Sequence, residues 1–262
     1  MEFTVQEIVA AIEEFAPLSL QESWDNSGLL VGSPTQKVNK ALLTIDVTEA
    51  VVSEAVEVGA TLIISHHPVI LSGIRKLTGD TEAERAVMAA IRHEIAIYAA
   101  HTNMDVAYEG VSYRMAHKLG LSDIQTLSPS GGQAQTGLGV MGILPAPLSE
   151  EDFLQLLKSA FHLSSLRHTP LHRQKVQKVA LCGGSGSSLI ADAIRSNADV
   201  YVTADIKYHQ FADASKKILI ADIGHFESEQ YTKEIFYEIL TKKIPTFALQ
   251  FSKVNTNPIT YL

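Results

Sequence analysis

The sequence predicts an α/β protein with mostly parallel sheets and an internal duplication. Short apolar runs alternate with amphipathic segments at helical spacing along most of the chain. Successive β-α-β units of this kind form parallel strand pairs with right-handed crossovers. The stretch 44–67 also aligns with 181–205, and two histidine and carboxylate pairs recur at a common offset of 124 residues. We therefore expect two α/β repeats of similar plan.

The first repeat is predicted over residues 1–125. Its first helix has apolar residues at helical spacing, with Thr4 as its cap and Pro17 ending it. Residues 23–32 are predicted to be a polar turn that leads into a short strand, and further strands are predicted at 41–45, 61–64 and 95–99. The helices are predicted at 5–16, 48–58, 81–92 and 110–119. Parallel sheets place ligands at the carboxyl ends of their strands, so functional residues are expected there.

The second repeat is predicted over residues 126–262, with the last strand able to cross to the first repeat. Residues 121–137 contain Ser-Pro-Ser-Gly-Gly and are predicted to be a loop at the domain boundary. The stretch 167–173, which includes His168 and His172, is predicted to be a solvated loop. Strands are predicted at 138–144, 178–182, 199–203, 217–221 and 245–250. Helices are predicted at 149–161, 187–196, 206–214 and 227–241.

Composition narrows the class of protein. Charged residues make up 19% and hydrophobic residues 46%, which is typical of a folded enzyme rather than a disordered chain. The formal net charge is −8 and no run of Lys or Arg is long enough to track a phosphate backbone, which disfavours nucleic acid as a general partner. Cys182 is the only cysteine, which excludes an intrachain disulfide and fits a cytoplasmic location. We expect neither export nor a membrane span.

Three apolar strands end in candidate metal ligands. Ser-His-His-Pro at 65–68 follows the first of them, and two adjacent imidazoles fill a core poorly because each ring needs polar partners. His101 with Asp105 follows the second strand, and His225 with Glu229 follows the third. One such pair alone is usually a surface or capping pair. Three strand ends of one repeated plan instead predict a two-metal site.

The ligand inventory follows from these strand ends. It consists of His66, His67, Asp105, His225 and Glu229, with His101 as either a sixth ligand or a residue that orients a ligand. Imidazole and carboxylate together suit Zn, Mn, Fe or Co. Divided between two divalent ions, this set leaves coordination positions for water, which is the layout of a hydrolase.

Three other motifs leave alternatives open. The glycine-rich stretch 183–188 either cradles a phosphate or forms a tight β-α turn capped by Ser. Residues 205–209 either line a substrate pocket or form an exposed first helical turn. Trp24 is either a packing plug or a ring over a ligand near the site. No Ser-His-Asp or Cys-His constellation is recognisable at readable spacing.

Several motifs resemble a known family in order and nearly from end to end. They are Ser-Trp-Asp-Asn-Ser-Gly at 23–28, Ser-His-His-Pro at 65–68, His-Thr-Asn-Met-Asp at 101–105, Cys-Gly-Gly-Ser-Gly-Ser-Ser at 182–188, Asp-Ile-Lys-Tyr-His at 205–209 and Gly-His-Phe-Glu-Ser-Glu at 224–229. In these stretches the chain resembles the Nif-three-like family, whose bacterial members are called GTP cyclohydrolase 1 type 2 homologs.

The resemblance implies two intertwined α/β domains, a dinuclear metal centre and a toroidal homohexamer. It places the metal ligands at His66, His67, Asp105, His225 and Glu229, the last as a bridge. The chain departs from the family pattern at Thr203-Ala204-Asp205, where a Gly often precedes the Asp, and at 111–113, where Val-Asn-Asp is common. Neither departure changes a ligand, but both bear on the pocket.

Three functions are compatible with these observations. The first is a hydrolase acting on a small, nucleotide-like substrate. For a cyclohydrolase, the reaction would be attack on C8 of guanine, with His101 or His209 carrying protons. The second is a metal-dependent binding or regulatory protein without turnover. The third, a ring that processes nucleic acid, is disfavoured by the acidic balance of the chain.

Overall fold

The computed structural model describes residues 2–130, 135–172 and 175–262. Gly131 and Gly132 of the predicted boundary loop, and Arg173 of the second predicted loop, lie outside the described residues. The chain is of the α/β class, as predicted, and contains both parallel and antiparallel strand pairs. It divides into two compact units. Unit 1 consists of Met1–Met104 and Thr232–Pro258, and unit 2 of Asp105–Tyr231 and Ile259–Leu262.

The strands and helices alternate along most of the chain. The strands are β1 (Phe3–Thr4), β2 (Gly28–Val31), β3 (Lys37–Val38), β4 (Lys40–Thr44), β5 (Leu62–Ser65), β6 (Ala96–Ala99), β7 (Ser122–Pro129), β8 (Gly137–Leu148), β9 (Arg167–His168), β10 (Val176–Ser185), β11 (Val200–Ala204), β12 (Leu219–Asp222) and β13 (Ala248–Phe251). The helices are α1 (Val5–Phe15), α2 (Glu49–Glu57), α3 (Glu82–Arg92), α4 (Thr102–Val106), α5 (Val111–Lys118), α6 (Glu150–Ala160), α7 (Ile190–Arg195), α8 (Tyr208–Ala214), α9 (His225–Glu229) and α10 (Thr232–Lys243).

Unit 1 is built on a sheet with the strand order β13-β4-β5-β6-β2. The first four of these strands are parallel, and β2 pairs antiparallel with β6. Strand β5 is buried along its whole length, so it is covered on both faces as parallel strands usually are. Because β13 pairs with β4, the segment after α10 belongs to this unit although it comes late in the chain.

Unit 2 is built on a sheet with the strand order β7-β8-β10-β11-β12-β9. Its central strands β10, β11 and β12 are parallel, whereas β8 and β9 pair antiparallel with the outer two of them. Apolar residues from α5, α6 and the sheet form one core cluster, which includes Phe153, Phe161 and Val202. The parallel part of this sheet delivers the ends of β10, β11 and β12 to one edge.

Several predicted boundaries need correction. The loop predicted at 121–137 is wrong over Ser122–Pro129, which forms strand β7 against β8. This strand is largely polar and lies at the sheet edge, so it lacks the buried apolar run by which a strand is recognised. The two residues of β9, within the predicted loop at 167–173, pair with β12 but are exposed, as a surface segment is expected to be.

Two predicted helices are also interrupted. The helix predicted at 187–196 starts with a 3-10 turn, Ser187–Leu189, before α7 begins at Ile190. The helix predicted at 227–241 is divided into α9 and α10. The predicted repeats 1–125 and 126–262 have other bounds than the two units, and the duplication itself stays a prediction. In the part of the chain that the structure describes, no helix combines the length and apolar character of a membrane crossing.

Candidate metal centre

Unit 1 brings three predicted histidines together. His66 and His67 directly follow the buried strand β5, and His101 follows the neighbouring parallel strand β6. Their ring centroids lie 5.0 to 5.4 Å apart. One nitrogen from each ring lies within 4.8 Å of the corresponding nitrogen of the other two, so the three side chains could hold one metal ion.

Hydrogen bonds at Nδ1 set the tautomer of all three rings. His66 Nδ1 lies 2.9 Å from the carbonyl oxygen of Ala100, which can only accept a hydrogen bond. His67 Nδ1 lies 2.7 Å from Oδ1 of Asp46, and His101 Nδ1 lies 2.7 Å from Oδ1 of Asp25. Each Nδ1 therefore carries the proton, and Nε2 presents the lone pair that a metal needs.

Asp25 is the orienting residue of His101 and has a fully buried side chain. Its second carboxylate oxygen accepts hydrogen bonds from the backbone N–H and hydroxyl of Thr102 and from the hydroxyl of Ser27. Burial opposes ionisation, but the hydrogen bonds from His101 and Thr102 outweigh it and lower the pKa of Asp25 well below its usual range. A permanently ionised Asp25 holds the His101 ring in one orientation.

Asp46 has the same role toward His67. It follows β4, the strand next to β5 in the sheet, so the two strand ends lie side by side. Burial opposes ionisation of Asp46, but the hydrogen bonds from His67 and Thr256 together with the nearby imidazoles outweigh it and lower the pKa of Asp46. Oδ2 of Asp46 also accepts a hydrogen bond of 2.7 Å from the hydroxyl of Thr256, so the segment after β13 helps to hold this carboxylate in place.

Unit 2 contains the remaining predicted ligands Asp105, His225 and Glu229. His225 and Glu229 both lie in α9, and Nε2 of His225 is 3.1 Å from Oε2 of Glu229. A carboxylate oxygen of Asp105 lies within 4.8 Å of one of Glu229. Nδ1 of His225 lies 2.7 Å from Oδ2 of Asp205, which repeats the arrangement seen at His67 and His101. Glu229 is thus the ligand candidate that the other two share.

The donor set of unit 2 fits a cation. A neutral imidazole has only one N–H, yet His225 has a carboxylate oxygen at each of its two nitrogens. A divalent ion next to Nε2 and the Glu229 carboxylate would be bound by both groups, with the proton on the Nδ1 side. Asp105 and Glu229 also concentrate negative charge, which a cation relieves. The residues present therefore fit the predicted metal.

Glycine at position 184 allows the close approach of the Glu229 carboxylate. A Cβ at this position would lie 2.0 Å from Oε1 of Glu229, and the backbone has φ +59°. Both facts favour glycine. The N–H of Gly184 donates to the hydroxyl of Ser228 over 2.9 Å, which fixes the loop against α9. Residues 183–185 are the end of β10 and a 3-10 turn follows at Ser187–Leu189, which fits the tight β-α turn, but neither this turn nor α7 has the predicted side-chain cap.

Two backbone positions bring His225 and Asp205 into place. Gly224 has φ +92°, and a Cβ there would lie 2.1 Å from Oε2 of Glu227. Asp205, which follows β11, has φ +57°, a conformation that Asp adopts more readily than most residues. At position 204 this chain has Ala where the family pattern often has Gly, but the Asp205 carboxylate that follows is retained. Ser112, at the other departure, accepts a hydrogen bond of 3.3 Å from the N–H of Gly183.

Other predicted residues have less specific surroundings. Lys207, Tyr208 and His209 are exposed at the start of α8, which favours an ordinary first helical turn. Cys182 is buried, and burial together with the charges of Asp105 and Glu229 raises the pKa of its thiol to about 12. The thiol is therefore protonated at neutral pH and is a poor metal ligand.

Sequence reasoning did not single out Asp25 and Asp46 as orienting residues, and it left Asp205 between two roles. Asp25 lies 76 residues before His101, so their pairing depends on how β2 packs beside β6. For Asp46 and Asp205 a signal was present, because each follows a strand next to the one that ends at its histidine. A cleft of about 180 Å³ beside His225 was also missed, and it is lined by Arg167, Asp222 and Tyr261 among others.

The fold and site define a class: an α/β protein with histidine and carboxylate clusters at strand ends that could hold metal ions. Comparison with known proteins specifies it further. The model of the Duf34/NIF3 (NGG1p interacting factor 3) family matches residues 3–258, so the chain belongs to this family. The resemblance seen in its motifs is thereby confirmed.

Individual relatives agree with this assignment. A Lactococcus lactis protein named GTP cyclohydrolase 1 type 2 homolog is 34% identical over 97% of this chain and 98% of its own length. A Clostridium perfringens protein of the same name is 34% identical over 86% of each chain. A crystal structure of a Bacillus cereus protein related to NIF3 has a TM-score of 0.91 at 25% identity, covering 99% of both chains.

Proposed function

We propose that the chain is a metal-dependent hydrolase with a dinuclear centre that acts on a small, nucleotide-like substrate. The proposed ligands are His66, His67, Asp105, His225 and Glu229, with Glu229 as the bridge. Two divalent ions, Zn, Mn, Fe or Co, would polarise a substrate oxygen and lower the pKa of water at the site. The name of the relatives, GTP cyclohydrolase 1 type 2 homolog, supports a nucleotide as the first substrate to examine.

One observation supports this proposal most strongly. Every candidate imidazole has an oxygen acceptor at Nδ1, so each presents Nε2 as the coordinating atom. Structural histidines rarely need this uniform arrangement, whereas metal-binding histidines almost always have it. The acceptors of His67, His101 and His225 are carboxylates.

His101 is proposed as a sixth ligand rather than only an orienting residue. One ring nitrogen of His101 lies within 4.8 Å of one nitrogen each of His66 and His67, and its Nδ1 is held by Asp25. A proton-carrying role for His101 would compete with this ligation. His209 is exposed in the first turn of α8, which makes it a weaker candidate for proton transfer.

Family membership supports an expectation about assembly, and the cysteine content supports one about location. We propose a homohexamer, to be tested by light scattering of the purified protein. A cytoplasmic location remains our expectation from the single cysteine.

A metal-dependent binding or regulatory role without turnover stays the alternative function, because the same metal clusters would organise a partner site equally well.

The test combines metal analysis with a substrate screen. Protein purified without added metal is analysed for bound elements, then loaded with Zn²⁺ or Mn²⁺ and assayed against GTP, other nucleotides and phosphoesters. We expect two ions per chain and hydrolysis that is lost in the variant His66→Ala/Glu229→Ala. Stoichiometric metal without turnover of any compound would favour the binding role, and activity that survives in the double variant would refute the assigned site.

A further inference from the structure

Trp24 is the only tryptophan of the chain, and 59% of its surface is exposed. Its ring contacts His101 edge to face, with centroids 5.9 Å apart and an angle of 78° between the ring planes. The exposure argues against the packing-plug interpretation of this residue. A single exposed aromatic residue is unremarkable by itself, but this one touches a proposed metal ligand.

The turn that carries Trp24 is fixed by the same groups that orient His101. Trp24 lies between Glu22 and Asp25, which are joined by a backbone hydrogen bond of 2.9 Å. The N–H of Glu22 donates to the hydroxyl of Thr102, and that residue in turn donates to Asp25. The backbone turn that carries the indole is therefore tied by hydrogen bonds to the segment that carries His101.

We propose that Trp24 is a stacking platform for a planar heterocycle of the substrate. An indole offers a large flat π surface at low conformational cost, and offset stacking brings ring centroids to about 4.5–7 Å. A ring stacked on Trp24 would lie beside His101 and so beside the proposed metal centre. The inference deepens the proposed function and rests on it for the location of the reacting atoms.

Stacking on an aromatic residue tolerates different bases, because every base has a π-face. The substrate class is therefore defined by planarity and aromaticity, and a sugar phosphate without a base is excluded from it. Guanine is one member of the class, so a purine nucleotide is a suitable probe. The indole would contribute to binding of the base, while the metal ligands act on the reacting bond.

Trp24 also reports on the interaction directly, since its fluorescence is the only indole signal in the chain. Zinc-loaded protein is titrated with GMP and, as a matched compound without the base, with ribose 5-phosphate. We expect saturable quenching by GMP and none by ribose 5-phosphate. Calorimetric titration of Trp24→Leu should show roughly 5- to 150-fold weaker GMP binding, and Trp24→Phe a smaller loss.

Tyr237→Leu is the matched control, since Tyr237 is another exposed aromatic of unit 1 and pairs only with Phe251 among the ring contacts of the described residues. It should bind GMP like the unaltered protein. Equal GMP binding by Trp24→Leu, equal binding of ribose 5-phosphate, or failure of GMP to bind at all would overturn the platform. If zinc does not bind, the proposed function fails, while the dependence of GMP binding on Trp24 still tests this inference.

Discussion

At the scale of single residues, carboxylates behind the histidines distinguish this site from a chance cluster. Asp25, Asp46 and Asp205 each accept a hydrogen bond from a different imidazole, and none of them is a proposed ligand. Such groups set the orientation and basicity of the ring that binds the metal. Their removal should therefore affect metal affinity more than folding.

Asp46→Ala tests this expectation at His67. The ring would lose its Nδ1 acceptor, so we expect metal affinity to fall by about 10- to 100-fold. Competition with a chromophoric chelator measures the change. Asp46→Asn keeps an acceptor oxygen and should recover part of the affinity. Equal affinities in all three proteins would show that His67 is not a ligand.

Comparing Gly184→Ala with Gly120→Ala separates the effect of backbone strain from the effect of overlap with the Glu229 carboxylate. The added Cβ would overlap the Glu229 carboxylate, so we expect at least a tenfold loss of metal affinity besides about 1 kcal/mol of backbone strain. Gly120→Ala is the control, because Gly120 has φ +66° and open space around its Cβ position. It should show the strain alone and bind metal normally. Similar metal affinity in the two variants would contradict the role given to Gly184.

Cys182 provides a test of burial in unit 2. Its thiol is buried and has a pKa raised to about 12 by burial and by the charges of Asp105 and Glu229. Because the thiolate is the reactive form, we expect no reaction with a thiol reagent in the folded protein at pH 8. One equivalent should react after unfolding in guanidinium chloride. Rapid reaction of the folded protein would mean that β10 opens readily.

At the scale of elements, periodicity predicted most of the fold. The buried strands β5 and β6 and the capped helix α1 were predicted because apolar runs and caps are local signals. Strand β7 was missed because it is polar and takes its hydrogen bonds from β8, which is a tertiary effect. The antiparallel pairing of β2 with β6 also has no local signature in the sequence.

The same distinction applies to the site. His66 and His67 could be predicted because they are adjacent and follow a recognisable strand. The partner of His101 could not, since Asp25 reaches it only through the packing of β2 beside β6. Exposure of Trp24 likewise depends on the folded surface, so its two interpretations could not be separated from the sequence.

The start of α3 gives a prediction about pH. The Glu84 side chain accepts hydrogen bonds from the backbone N–H groups of Thr78, Gly79 and Asp80. Burial opposes ionisation of this carboxyl, but the hydrogen bonds outweigh it, and the pKa of Glu84 is lowered. The ionised side chain therefore stabilises the folded state above the unfolded pKa of about 4.3, and this contribution is lost as the pH falls below that value.

Glu84→Gln should accordingly be less stable than the unaltered protein at pH 7. The difference between the two should shrink as the pH is lowered from 5 toward 3. Urea denaturation at a series of pH values measures it. Glu57→Gln, at an exposed position at the end of α2, is the control and should change stability little at any pH. A difference that is independent of pH would show that Glu84 does not act as a carboxylate.

At the scale of the whole molecule, the chain passes from unit 1 to unit 2, returns to unit 1 and ends in unit 2. The proposed ligands are correspondingly distributed, with His66 and His67 in the first unit and Asp105, His225 and Glu229 in the second. A ligand that binds only the folded protein stabilises it by mass action. If residues of both units bind the same pair of ions, loss of either cluster should remove that stabilisation.

Thermal denaturation with and without Zn²⁺ tests whether loss of either cluster removes the stabilisation by metal. At a free zinc concentration of 100 times Kd we expect about 2.7 kcal/mol of stabilisation per site, visible as a rise in Tm that EDTA reverses. The rise should disappear in His66→Ala and equally in Glu229→Ala, because each variant removes one of the proposed ligands. Tyr237→Leu, outside the ligand set, should keep it. A zinc-dependent rise that persists in one of the two ligand variants would mean that the clusters bind metal independently, and a dinuclear centre built from both would be refuted.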